Sequence, residues 1–156
     1  MVYLAGAAPA LDQARLRVRA ALASGEGLER FRRVIELQGG DPRVCDDPSL
    51  LPQAPERVVV RSERDGRVAR LAARAIGHAG MLLGGGRETV DSAIDPGVGF
   101  VFHKKVGDPV SVNEPIVTVH ASPASRLDAA LARLREAISV QPEAPARGPL
   151  VFDILE

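Results

Sequence analysis

Few residues in this chain have the types and spacing that chemistry requires. His103-Lys104-Lys105 is the one compact basic run without an interleaved acid, and it holds the only two lysines of the chain. Two readings are open. The run is either a solvated turn that keeps a hairpin soluble, or a contact to phosphate or to an opposing domain across a cleft. Gly84-Gly85-Gly86-Arg87 invites a phosphate-loop reading. Such loops offer glycine N–H groups at the start of a following helix. Here the glycines follow a helical segment and no Lys-Ser or Lys-Thr comes after them, so they read as a helix C-cap and turn. His78 and His120 stand alone, whereas a metal needs convergent ligands. Each histidine reads as structural or surface, and no metal or cofactor is expected. Cys45 lies beside Asp46 and Asp47. Nearby carboxylates disfavour a thiolate, which argues against a nucleophile. No catalytic residue is expected anywhere in the chain.

The composition narrows the function classes further. A chain of 156 residues can bury one good core, with room for two subdomains. The apolar share of 46% excludes a disordered chain, and with aromatics at 3% and no tryptophan the core is built from Val, Leu, Ile and Ala. The formal net charge is zero, so no strongly acidic or basic partner is implied. Eighteen arginines invite a nucleic-acid reading, but Glu26, Glu29, Glu36, Asp65, Glu88 and Glu136 interrupt them. No basic stripe or aromatic platform survives, and no nucleic-acid partner is expected. No stretch reaches the length of a membrane span, the first residues lack a basic signal-peptide region, and the single cysteine suits a reducing cytoplasm.

The elements that must position these residues follow from periodicity and punctuation. Residues 1–6 read like the end of a helix whose beginning is missing. Pro9 opens a helix over 9–23, with Leu11, Val18 and Leu22 on its stripe, and Ser24-Gly25 stops it. A second amphipathic helix spans 28–37 and ends at Gly39-Gly40. Residues 41–56 hold four prolines, which exclude a regular α-helix or central strand and mark a subdomain crossing. A strand over 57–62, the hairpin signal Asp65-Gly66 and a return strand over 67–71 come next. A helix spans 72–83. Residues 94–121 read as two strands, with Val98, Phe100 and Phe102 alternating in the first and the β-branched run 116–120 in the second. They are joined by the turn Lys105-Val106-Gly107-Asp108-Pro109, in which Gly107 takes a positive φ. Pro123 opens a last helix through Leu127, Leu134 and Ile138. A proline-rich connector covers 141–149, and residues 150–155 read as a final strand.

Several separated pieces carry a resemblance in order: MVYLAGAAPALDQAR, FRRVIELQGGD, GMLLGGGRETVDSAIDPGVGFVFHKKVGDPV and EPIVTVHA. Together they resemble the C-terminal part of the pyrimidine-nucleoside phosphorylases, the family that includes thymidine phosphorylase, over nearly the whole chain. The resemblance implies an α+β fold. Residues 1–53 would be a helical segment and proline-rich crossing belonging to a larger α/β lobe. Residues 54–156 would form an α/β-hammerhead domain like a barrel-sandwich hybrid, built on two hairpins, 58–71 and 98–119, separated by the helix 72–83. It also implies a C-terminal piece of a longer, homodimeric, cytoplasmic enzyme of nucleoside salvage. That enzyme cleaves pyrimidine nucleosides with phosphate to base and pentose 1-phosphate. The family holds phosphate with a Lys-His-Ser-Thr-Gly-Gly type of loop and the leaving base with a separated Arg, Ser and Lys set. Neither occurs here, so no family catalytic residue carries over. The chain alone is expected to be inactive, phosphate and nucleoside being partners only of the full-length enzyme. Within it, His103, Lys104 and Lys105 would lie on a cleft-facing turn. The alternatives are a stand-alone biotinyl or lipoyl carrier, which needs a hairpin-tip lysine usually beside methionines, and a regulatory paralogue.

Overall fold

The computed structural model describes residues 1–143, 145 and 146. The chain forms two compact units, Met1–Leu51 and one that begins at Pro52.

In the first unit, α1 (Leu11–Ala23) starts two residues after Pro9, with Ala10 extended at its N-cap. Gly25, at φ 78°, makes the left-handed step into α2 (Glu26–Leu37), a conformation that costs glycine little. The proline-dense segment contains two 3₁₀ turns, Pro42–Cys45 and Pro48–Leu50. Each has proline at its start and an aspartate, Asp41 or Asp47, accepting a backbone N–H. Proline has no N–H to lose at a helix start, so these short turns tolerate what an α-helix would not. Arg32 on α2 forks onto Asp46 at 2.7 and 2.9 Å and ties the first 3₁₀ turn to the helix.

Only Ala14 is buried on α1, and α2 buries no residue. Leu22, Leu28, Phe31 and Leu37 are all exposed. Helices held by so little burial open easily. Amides of α1 and α2 are therefore expected to exchange hydrogen faster than those of the central strand of the second unit. Uniformly slow exchange in a sample shown to be monomeric would contradict this.

The second unit is built on two three-stranded antiparallel sheets. One has the order β1-β5-β3, from β1 (Glu56–Arg61), β5 (Pro115–Ala121) and β3 (Gly99–Phe102). The other has the order β4-β2-β6, from β4 (Pro109–Val110), β2 (Gly66–Leu71) and β6 (Ile138–Gln141). The helices are α3 (Ala73–Leu83) and α4 (Leu127–Ala137). β5 buries Ile116, Val117, Val119 and Ala121. A strand so apolar needs partners on both edges, and it takes Val60 and Val58 of β1 on one side and Phe102 and Phe100 of β3 on the other.

That demand corrects the expected hairpin over 58–71. β1 and β2 do not pair; they belong to different sheets. Instead of closing a two-residue turn, Asp65 accepts the Val112 N–H at 2.7 Å through its carboxylate. Ser62 donates its N–H to Glu114 O at 2.9 Å and accepts the Asn113 N–H at 2.8 Å. These bonds carry the chain from one sheet to the other. The second expected hairpin pairs as β3 with β5, but the residues between them detour through β4 into the other sheet.

The main core lies between α3, α4 and the β5 sheet and contains Val60, Ala79, Leu83, Val117, Val119, Leu131 and Leu134. A smaller core joins Val68, Val110 and Ile116, and Ile138 packs against both. Gly84, left-handed at φ 97°, ends α3. Two further expectations need correction. Pro123 does not open α4, because residues 122–126 are used to close α3. Ser125 Oγ donates to Leu83 O at 2.7 Å and the Arg126 N–H donates to Leu82 O at 2.9 Å, satisfying carbonyls that a helix end leaves open. Ile138 is not helical; it turns extended and starts β6, pairing with Leu71. The final strand expected over 150–155 lies outside the described residues.

Candidate functional site

The crossing from β3 to β4 carries the basic run. His103 closes β3, donating its N–H to Ile116 O at 2.8 Å, and its Nε2 lies 2.8 Å from Thr118 Oγ1. Lys105 donates its N–H to Asp108 Oδ2 at 2.7 Å, and the Asp108 N–H returns to Lys105 O at 3.0 Å. Gly107 is buried at φ 92°, as its turn position requires. Its N–H donates to Val68 O at 2.7 Å, the Val68 N–H donates to Asp108 O at 3.0 Å, and Arg67 Nη1 donates to Gly107 O at 3.0 Å. The turn is thus zipped onto β2.

Lys104 is not the solvated lysine that one reading expected. Its side chain is 20% exposed, forms an ion pair with Glu114, and donates from Nζ to Pro109 O at 2.9 Å. Lys105 is exposed. The run therefore sits beside two carboxylates: Glu114, which pairs with the Lys104 ammonium, and Asp108, which accepts the Lys105 N–H. Sequence reasoning missed Glu114 as a partner; the only signal is its place in the next turn, Asn113-Glu114-Pro115.

The Glu114 carboxyl is held below its usual value of 4.5, first by the hydrogen bond from Lys104 and then by the Ser111 N–H. A carboxylate favoured by the fold adds stability above its unfolded value, and that stability is lost as pH falls through the lower folded value. The second unit is therefore expected to lose melting temperature as pH drops below about 4.5, with Glu114→Gln flattening that loss. An acid slope identical in the variant, followed on β5 resonances, would remove the pair as a contributor.

The other residues singled out by sequence do not converge. The Gly84 N–H donates to Met81 O and the Gly85 N–H to Gly80 O, both at 2.9 Å, so these donors serve the helix end. His78 is exposed on α3, and His120 lies half-buried on β5 opposite Arg57 and Gly99. Cys45 is half-buried in a 3₁₀ turn of the first unit. Among the described residues no group of three His, Cys, Asp or Glu side chains is placed to hold a metal, and no helix is long and apolar enough to cross a membrane.

Two interlocked antiparallel sheets under a pair of helices, with a charged crossing committed to joining the sheets, define a small α+β domain. Residues 67–141 match the model of the pyrimidine nucleoside phosphorylase C-terminal domain, and the chain belongs to that family through this domain. Similar proteins include the pyrimidine-nucleoside phosphorylase of Bacillus subtilis (strain 168), 41% identical over 146 residues, which are 94% of this chain and 34% of the relative. That of Geobacillus stearothermophilus is 40% identical over 154 residues, 98% of this chain and 35% of the relative. That of Staphylococcus aureus (strain USA300) is 42% identical over 122 residues, 78% of this chain and 28% of the relative. The chain spans about a third of the length of these curated relatives.

Proposed function

We propose that this chain acts as the C-terminal portion of a pyrimidine-nucleoside phosphorylase, which splits a pyrimidine nucleoside with phosphate into base and pentose 1-phosphate. One observation carries the reading: the likeness runs through 94% and 98% of this chain while covering 34% and 35% of the two relatives. On this reading the chain completes the phosphate-binding lobe and supplies no reacting group, and the whole enzyme is a cytoplasmic homodimer. Residues 1–53 belong to the larger α/β lobe, and residues 54–156 form a hammerhead domain of barrel-sandwich type. The strand path supports the latter: before α3 the chain leaves one sheet for the other from β1 to β2, and after α3 it does so again from β3 to β4.

Within the proposed cleft-facing turn of His103, Lys104 and Lys105, the roles divide. Lys104 holds the crossing through Glu114 and Pro109, and exposed Lys105 is the member left to meet phosphate or the opposing domain. The carrier alternative is not favoured, because the family match lies with the phosphorylases and Lys104 is committed to its neighbours.

The test is a chimera in which this chain replaces the C-terminal third of the Bacillus subtilis relative. It is expected to phosphorolyse uridine with a kcat within about tenfold of that relative's, a difference of about 1.4 kcal/mol in barrier, while the 156-residue chain alone shows no turnover. A folded chimera without phosphorolysis would overturn the assignment. Turnover by the isolated chain, abolished by a substitution within it, would contradict the non-catalytic role.

A further inference from the structure

A cleft of about 340 Å³ opens in the second unit between β1 with its following loop and the α4–β6 junction. Apolar side chains share its floor with Ser62 and Ser139: Val60 and Ile116 are buried there, and Ile138 and Val140 are half-buried. Three arginines, Arg61, Arg64 and Arg135, share its lining with a single acid, Glu63. The chain as a whole has no net charge, so this lining concentrates positive charge.

The arginines are available to a ligand. Arg61 is oriented by donating from Nη1 to Asn113 O at 2.9 Å, which uses one of its five donors. Arg32 and Arg126 are spent on carboxylates. The side chains of Arg64 and Arg135, in contrast, make no hydrogen bond or ion pair among the described residues, and both are exposed. Guanidinium forks match the oxygens of phosphate in pairs, and apolar side chains beside them reward a ligand that carries a hydrophobic body. Lone phosphate would use the rim and leave the floor wet. We propose that this cleft binds a small phosphate monoester with an apolar body, the dianionic head on Arg64 and Arg135 and the body over Val60, Ile116 and Val140. The site uses none of the residues invoked for the phosphorylase role.

Phenyl phosphate is the probe, titrated into the isotope-labelled full chain. Saturable binding is expected, with amide shifts confined to residues 60–64, 116 and 135–140, and at least about tenfold tighter than inorganic phosphate because only the ester covers the floor. The double variant Arg64→Gln/Arg135→Gln is expected to weaken phenyl phosphate at least about tenfold, since it removes two charge-assisted contacts. Glu63→Gln is expected to tighten it by removing the one repelling charge. No saturation by about 10 mM would overturn the proposal. So would shifts that map elsewhere, inorganic phosphate binding as tightly as the ester, or unchanged affinity in a folded double variant. If the double variant does not fold, the shift map and the ester-to-phosphate ratio in the unmodified chain decide alone.

Discussion

Gly66→Ala is expected to destabilise the second unit by roughly 3 kcal/mol or more, the sum of backbone strain and overpacking against main chain. Gly66 begins β2 at φ 148°, in a region that side chains rarely adopt. A Cβ built there would lie 2.4 Å from the backbone oxygen of Gln141 and 3.0 Å from its carbonyl carbon. Neither atom is the end of a flexible side chain; both belong to β6, whose register with β2 runs through Arg67 and Gln141. Relief therefore requires the two strands to separate. For a unit of this size the loss corresponds to a fall of about 12 °C or more in melting temperature. Gly77→Ala is the internal control. Gly77 lies within α3 with no atom within 4 Å of the new Cβ, so alanine there is expected to stabilise by about 0.5–1 kcal/mol through helix propensity. Equal melting temperatures for the Gly66 variant and the parent would mean that β6 does not lie against β2 as described.

That contact marks where the sequence was legible and where it was not. α3 and β5 are readable because their patterns are local: a helical stripe ending in Gly84, and a β-branched run between Pro115 and Ala121. The positive φ of Gly107 is readable for the same reason, since Gly-Asp-Pro has turn chemistry of its own. Sheet membership is not local. Asp65-Gly66 carries a strong hairpin signal, yet β5 takes β1 as a partner and the Val112 N–H takes the Asp65 carboxylate. β6 was hidden because Ile138 falls four residues after Leu134 and extends the helical stripe of α4. Only its pairing with Leu71 and its contact with both cores make it extended. At the candidate site, the basic run was visible but the ion pair of Lys104 was not, because Glu114 stands ten residues beyond Lys104 and reaches it only through the fold.

The same non-local packing sets the second large effect, expected for Leu134→Ala. Leu134 is fully buried on α4 in the core shared with α3 and the β5 sheet, beside Ala79, Leu83, Val117 and Val119. Truncation removes three carbons from water-excluded space and leaves a void lined by side chains that the two helices and the sheet hold in place. The cost is the lost transfer energy plus the cavity term, about 2–5 kcal/mol depending on how far the site collapses. Small residues on both helices, Ala79 on α3 and Ala130 and Ala137 on α4, already bring the backbones close, so little further collapse is available and the upper half of that range is expected. Val101→Ala provides the contrast: Val101 is 50% exposed on the edge strand β3, and its truncation is expected to cost about 0.5 kcal/mol or less. Denaturant titration of both variants measures the difference. If Leu134→Ala cost no more than Val101→Ala, α4 would not be packed on α3 and the sheet, and the position of Arg135, one residue further along the helix, would fall with it.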